Sequence, residues 1–206
     1  MENFSRMQLD ALKEVGNIGA GNAATALSVL LDRPVDMDVP TAEIVSIYRL
    51  AEYYGDPLSP VSAVFVRSEG DFPCSLIFLQ SEEDGQTLVD LLLGSQCGDI
   101  PLEDIPGEIR DSALAEGGNI ILSAFLNAVN ELTSGVASIS VPSAAHDMLG
   151  SILEVMAVLF GQYGDDALIV DTSLRVEGSS RSIAGKIVLL PDPGSLESLF
   201  RKLRVL

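Results

Sequence analysis

Apolar positions recur with a helical period from the start of the chain. Leu12, Val15, Gly19, Ala23, Ala26 and Leu30 follow one another at three- and four-residue steps. At about 100° per residue they share one side of a helix, the side expected to be buried. Ser5 and Gln8 have the spacing of a capping box, with Phe4 and Leu9 as its hydrophobic staple. The predicted helix therefore runs from Ser5 to about Leu31, just ahead of Pro34. Beyond it the pattern becomes β-rich: "VDMDVPTAEIVSIY", "VSAVFVR" and "PCSLIFLQ" read as strands. A short helix in "SEEDGQTLVDLLLG" follows, closed by Gly94. Later, "GVASISVP", "DALIVDTSLRV" and "RSIAGKIVLLP" are strands again, and "DPGSLESLFRKLRVL" is a last helix begun by Asp192 and Pro193. Met148, Ile152, Val155, Met156 and Leu159 keep helical spacing, which places an extra helix there with His146 and Asp147 as capping residues at its start.

The stretch "EVGNIGAGN" (14–22) carries the glycines of a phosphate loop, but the residues before it are already helical rather than a strand. Read as helix, it places Asp10, Glu14 and Asn17 within roughly 60° of one another on the outer face, with Gly21, Ala24 and Ser28 continuing the line. Gly16, Gly19 and Gly21 each weaken a helix by up to about 1 kcal/mol, so close approach of another backbone must compensate. Taken alone, the polar stripe is an ordinary solvated face.

An internal repeat changes that reading. Shifting the chain by 102 residues lays "ALKEVGNI" (11–18) over "ALAEGGNI" (113–120), Leu30 over Leu132, and Pro40 over Pro142. Glu14 falls on Glu116, Asn17 on Asn119, and Asp10 on Ser112. The match extends to the polar outer stripe, which a merely solvated face would have been free to lose. Duplication is also a statement about architecture. Two halves, about 1–97 and 106–206, joined by a linker near 94–108, make a single domain, because each half is too small and one-sided to stand alone. The expected fold is α+β: a continuous, mainly antiparallel sheet with long helices packed on it and pseudo-twofold symmetry.

Composition narrows the partners. The 206 residues, 47% hydrophobic, can fill a core. No apolar run reaches the roughly 20 residues that cross a bilayer, and no basic-then-apolar leader opens the chain; a cytoplasmic protein without membrane insertion is expected. Lys and Arg number 12 against 30 Asp and Glu, a net charge of −18 that disfavours nucleic acid and suits a basic protein surface. Cys74 and Cys97 indicate neither a disulfide framework nor a zinc site. The single histidine, His146, excludes a metal held by several.

An uncharged carboxamide is neither base nor nucleophile, so Asn17 and Asn119 are suited to orienting water. A carboxylate one turn earlier can accept hydrogen bonds from an incoming lysine. Such a pair fits hydrolysis of a phosphate already activated on another protein. The doubled pattern Asp10-Glu14-Asn17-Pro40 and Ser112-Glu116-Asn119-Pro142 resembles the CheC/CheX/FliY phosphatases of chemotaxis, and the two-motif organisation is most similar to CheC. The resemblance implies dephosphorylation of the response regulator CheY-P. Asn17 or Asn119 would orient the attacking water, Glu14 or Glu116 would engage the receiver's active-site lysine, and CheY would supply the Mg²⁺, the chain having no cofactor of its own. Asp10, Ser112, Pro40 and Pro142 are supporting positions. The resemblance also implies a second partner, the receptor deamidase CheD, for which Asp147, Met148 and the apolar helix after Pro142 are the candidate surface. A monomer is expected, since the duplication supplies the symmetry internally. The alternative is a non-catalytic adaptor for CheY-P or CheD. Ser112 in place of an acidic residue, and Gly117 opposite Val15, depart from the first motif and predict a locally looser second helix and unequal sites.

Overall fold

The computed structural model describes residues 4–50, 55–96, 101–160 and 166–205. Its first helix, α1 (Arg6–Leu31), starts at the capping box: Ser5 Oγ accepts the Gln8 N–H at 3.3 Å, and Gln8 Oε1 accepts the Ser5 N–H at 2.7 Å. It ends at Asp32, which is left-handed (φ 49°) and donates its N–H to the Ser28 carbonyl. Phe4, the first half of the expected staple, lies with its ring 5.9 Å from that of Phe200. The buried stripe is Leu12, Val15, Gly16, Gly19, Ala20, Ala23, Leu27 and Leu31. Ala26 is exposed and Leu30 only half-buried, contrary to the periodicity reading. Past Ala23 the stripe advances by four-residue steps, which keep it against its neighbours, whereas 26 and 30 lie one residue round the helix.

After α1 the run 35–48 divides at Val39–Thr41 into two strands, β1 (Val35–Asp38) and β2 (Ala42–Ser46). Strands β3 (Pro60–Gly70) and β4 (Cys74–Ser81) follow, then helix α2 (Glu82–Gln96). Gly94 does not close α2, which continues past it. The second long helix, α3 (Gly107–Thr133), leads to β5 (Ala137–Ile139), β6 (Ser143–Met148) and α4 (Leu149–Phe160). Strands β7 (Asp166–Val176) and β8 (Ile183–Pro191) precede the final helix α5 (Ser195–Lys202). Asp192 and Pro193 do not begin α5: left-handed Gly194 stands at its N-cap, and Asp192 forms a two-pronged pair with Arg67 of β3, one contact of which is 2.7 Å. Cys97 lies outside the described residues.

All strand pairs are antiparallel, in the order β1-β7-β8-β4-β3-β5, with β2 also on β7 and β6 also on β3. Read from either end, the order gives equivalent strands: β1 corresponds to β5, β7 to β3, and β8 to β4. The pseudo-twofold axis therefore passes between β4 and β8. The short strands exchange: β1 and β2 pair with β7 of the other repeat, and β5 and β6 pair with β3.

Helices α1, α2, α3 and α5 cover one face of the sheet over a core that includes Leu12, Leu76, Phe78, Leu122, Phe125 and Phe200. On the other face α4 closes a smaller cluster with Leu149, Ile152, Leu153 and Met156 over Ile77, Ile169 and Val188. Cys74 lies inside the first core, and burial pushes its thiol pKa up to about 12, so it behaves as a small apolar residue. Helix α3 is long and apolar enough to cross a membrane, but 56% of its apolar window is buried inside the fold, the pattern of a core helix.

Candidate functional site

The two motifs lie on α1 and α3, which pack against each other on the same face of the sheet. A Cβ on Gly19 of α1 would stand 2.9 Å from the Cα of Phe125 on α3, so the helices cross there at backbone distance. Gly16 is tight against Val39, with 3.2 Å from a built Cβ to Cγ1, while Gly21 faces open space. Two of the three glycines thus answer to close neighbours, and the third lies on the outer face.

On α1, Asp10, Glu14 and Asn17 are all exposed. Asp10 also makes a long ion pair with Arg6, 3.9 Å across a helical turn. Glu14 and Asn17 present a carboxylate and a carboxamide one turn apart on the outward side. Pro40 is exposed in the turn joining β1 to β2. It lines a cavity of about 520 Å³ on the α4 side of the sheet, together with Leu79, Leu149, Asp171 and Lys186. The cavity belongs to the opposite face of the sheet from the α1 stripe.

The second motif is placed differently. Glu116 is exposed, and with Leu30, Leu92, Leu93 and Ile109 it borders an apolar pocket of about 190 Å³. Ser112 is exposed, and its hydroxyl donates back to the Glu108 carbonyl at 2.8 Å. Asn119, expected to point outward like Asn17, is half-buried; its Oδ1 is shielded from solvent and has no hydrogen-bond partner among the described residues. The cause is legible in the glycines before it. A Cβ on Gly118 would stand 2.6 Å from Val64 of β3, and one on Gly117 would stand 2.9 Å from Leu92 of α2. Two consecutive missing side chains let α3 settle closer to β3 and α2, and Asn119 is drawn in with it. Gly117, expected to loosen the helix, instead serves close packing. Pro142 is half-buried in the turn between β5 and β6, where its counterpart Pro40 is exposed in the turn between β1 and β2.

His146 and Asp147 are strand residues of β6, not caps of α4. They pair in register with Ser62 and Val61, which extends the backbone there and delays the helix to Leu149. The Asp147 carboxylate accepts the Met148 N–H at 2.7 Å. Met148 is largely exposed, and on α4 Val155, Val158 and Leu159 form an exposed apolar set, Val158 at 75%. His146 sits between two carboxylates, its Nδ1 3.0 Å from Glu82 and its Nε2 3.3 Å from Asp111. Nothing in the sequence pattern signalled this contact, because the three residues come from three separate elements. Among the described residues, no group of three or more His, Cys, Asp or Glu stands where it could hold a metal ion.

The CheC-like family profile matches residues 7–44, the span of the first motif through its proline. The chain is similar to the CheY-P phosphatase CheC of Bacillus subtilis (strain 168): 36% identical over 194 residues, covering 94% of this chain and 92% of the relative. It is also similar to the flagellar motor switch phosphatase FliY of the same organism, 29% identical over 143 residues, 69% of this chain but only 36% of that protein. Among solved structures, Thermotoga maritima FliY superposes with a TM-score of 0.74 at 20% identity over 98% of both chains. The middle domain of FliM from H. pylori superposes with a TM-score of 0.65 at 12% identity, covering 97% of this chain and 99% of that one. These two likenesses establish the fold.

Proposed function

This chain belongs to the CheC-like family, and on that premise we propose that it is a cytoplasmic phosphatase, dephosphorylating the chemotaxis response regulator CheY-P. The observation that carries the reading is the recurrence of Glu and Asn, one helical turn apart, on two helices related by the pseudo-twofold axis. Exposure of Glu14 and Asn17 supports access by a partner.

In the proposed reaction, the helix face meets the receiver so that Glu14 or Glu116 accepts a hydrogen bond from the receiver's lysine. The carboxamide of Asn17 or Asn119 holds a water in line with the bond from phosphorus to the aspartyl oxygen. The water oxygen forms the new bond to phosphorus, the aspartyl P–O bond breaks, and the carboxylate leaves with the electron pair; the water's proton passes to phosphate or solvent. Mg²⁺ would come with CheY and neutralise charge on the phosphoryl oxygens. This chain contributes position and dipoles, which for such a step are worth about 10²-fold or more. The chain acts as a monomer, because the repeat supplies both sites.

We place the contact with CheD on α4, led into by Asp147 and Met148, where Val155, Val158 and Leu159 are exposed. Val158→Asp should remove any stimulation by CheD and leave the rate without CheD unchanged. The primary test is CheY-P decay with wild type, Asn17→Ala, Asn119→Ala and the double variant. Loss of hydrolysis in the double variant, with CheY-P binding retained, is expected. A CheY-P lifetime untouched by stoichiometric wild-type protein, with or without CheD, would favour the adaptor reading instead.

A further inference from the structure

We infer that His146 is a positioning residue for the second Glu/Asn pair, clamping the start of α3 through Asp111 and Glu82; this inference rests on the phosphatase reading above. The two long helices are anchored by different means. α1 begins with a complete capping box. α3 begins after Pro106 with no side-chain cap, and its first turns are tied down from outside. Arg110 reaches Asp90 of α2 at 2.8 Å and the Leu102 carbonyl at 3.4 Å. Asp111 reaches His146 of β6, whose other nitrogen contacts Glu82 at the start of α2. One imidazole thus joins α2, α3 and the sheet.

Asp111 immediately precedes Ser112, the first member of the second stripe, and lies about 100° round the helix from it. The His146–Asp111 pair is exposed, Asp111 at 61%, so it adds to the seating that Gly117 and Gly118 give α3 and biases the rotation of its first turns, and with it the direction of Glu116 and Asn119. The first repeat has no such device: positions equivalent to His146 and Asp111 are Ile44 and Leu9. The charged groups contacting the imidazole are Glu82 from α2 and Asp111 from α3, and β3 places uncharged Ser62 opposite it. Nδ1 lies within hydrogen-bond distance of Glu82, and Nε2 lies at ion-pair distance from Asp111.

The test separates the two sites. In an Asn17→Ala background only the second pair operates, and adding His146→Ala should lower CheY-P turnover about tenfold, the scale expected from slight misplacement of a positioning group. In an Asn119→Ala background the same substitution should leave the rate unchanged. His146→Arg, which supplies several donors able to reach both carboxylates, should restore turnover in the first background. Amide hydrogen exchange over residues 107–119 reads the clamp independently of turnover: it should rise in His146→Ala, recover in His146→Arg, and stay constant over α1. Equal losses in both backgrounds, no loss in the Asn17→Ala background, or unaltered exchange in α3 would each overturn the assignment. Wild-type protein that leaves CheY-P decay unchanged would instead sink the phosphatase reading, while the exchange result would still decide the clamp.

Discussion

The outer faces of α1 and α3 repeat one pattern, yet they sit in different surroundings. Glu14 and Asn17 stand clear of the fold on a capped helix. Glu116 stands beside an apolar pocket, and Asn119 is half sunk, its carbonyl oxygen without a hydrogen-bond partner among the described residues. The difference traces to one position, where Val15 in the first helix is matched by Gly117 in the second. Val15 fills its own space in the core; Gly117 leaves that space to Leu92 of α2. The two helices are thus seated differently, and on the second the carboxamide oxygen is shielded from solvent while the residue remains half-exposed. Duplicated motifs do not guarantee duplicated environments; a buried oxygen with no donor costs about 1–3 kcal/mol.

The largest expected effect tests what the two faces share. Asn17→Ala with Asn119→Ala should abolish acceleration of CheY-P decay, a loss of about 10²-fold or more, while binding of CheY-P largely persists. Next, Gly19→Val should strike both sites together. It inserts carbon where the Phe125 backbone already lies, and should cost about 1–3 kcal/mol in denaturant unfolding while lowering both single-site rates. A smaller effect separates the faces. Asn119→Leu removes the orphaned oxygen and should raise stability by about 1 kcal/mol, whereas Asn17→Leu, on an open surface, should stay within about 0.5 kcal/mol of wild type. Equal melting temperatures for these two variants would show that the environments do not differ as described. The smallest concerns the one unmatched polar position. Ser112→Asp makes the second stripe resemble the first, but sets a new carboxylate beside Asp111 and one turn from Glu108 and Glu116. It should cost a few tenths of a kcal/mol in thermal unfolding.

Much of this was legible in the chain. The Ser5/Gln8 pair marked the start of α1 correctly because a capping box is a local arrangement, complete within four residues. The runs "DALIVDTSLRV" and "RSIAGKIVLLP" marked β7 and β8 because central strands are apolar on both faces. The continuous antiparallel sheet followed from halves too one-sided to stand alone. What was hidden depends on contacts between distant segments. The exchange of β1 and β2 onto β7 leaves no trace in periodicity. His146 and Asp147 read as caps because the pull of β3 on that segment cannot be seen from its own residues. Asn119 read as outward because helical arithmetic gives direction but not depth; the adjacent Gly117 and Gly118 were the available signal, and Gly117 alone reads as looseness when its neighbours are unknown.

The exchanged short strands have a consequence for how such a chain can be divided. A cut in the segment between α2 and α3 would strand β1 and β2 without β7, and β5 and β6 without β3, exposing ladder edges on both fragments at once. The fragments should recombine with each other, or each with another copy of itself, rather than persist apart, so the covalent joint is dispensable in a way that the interleaving is not.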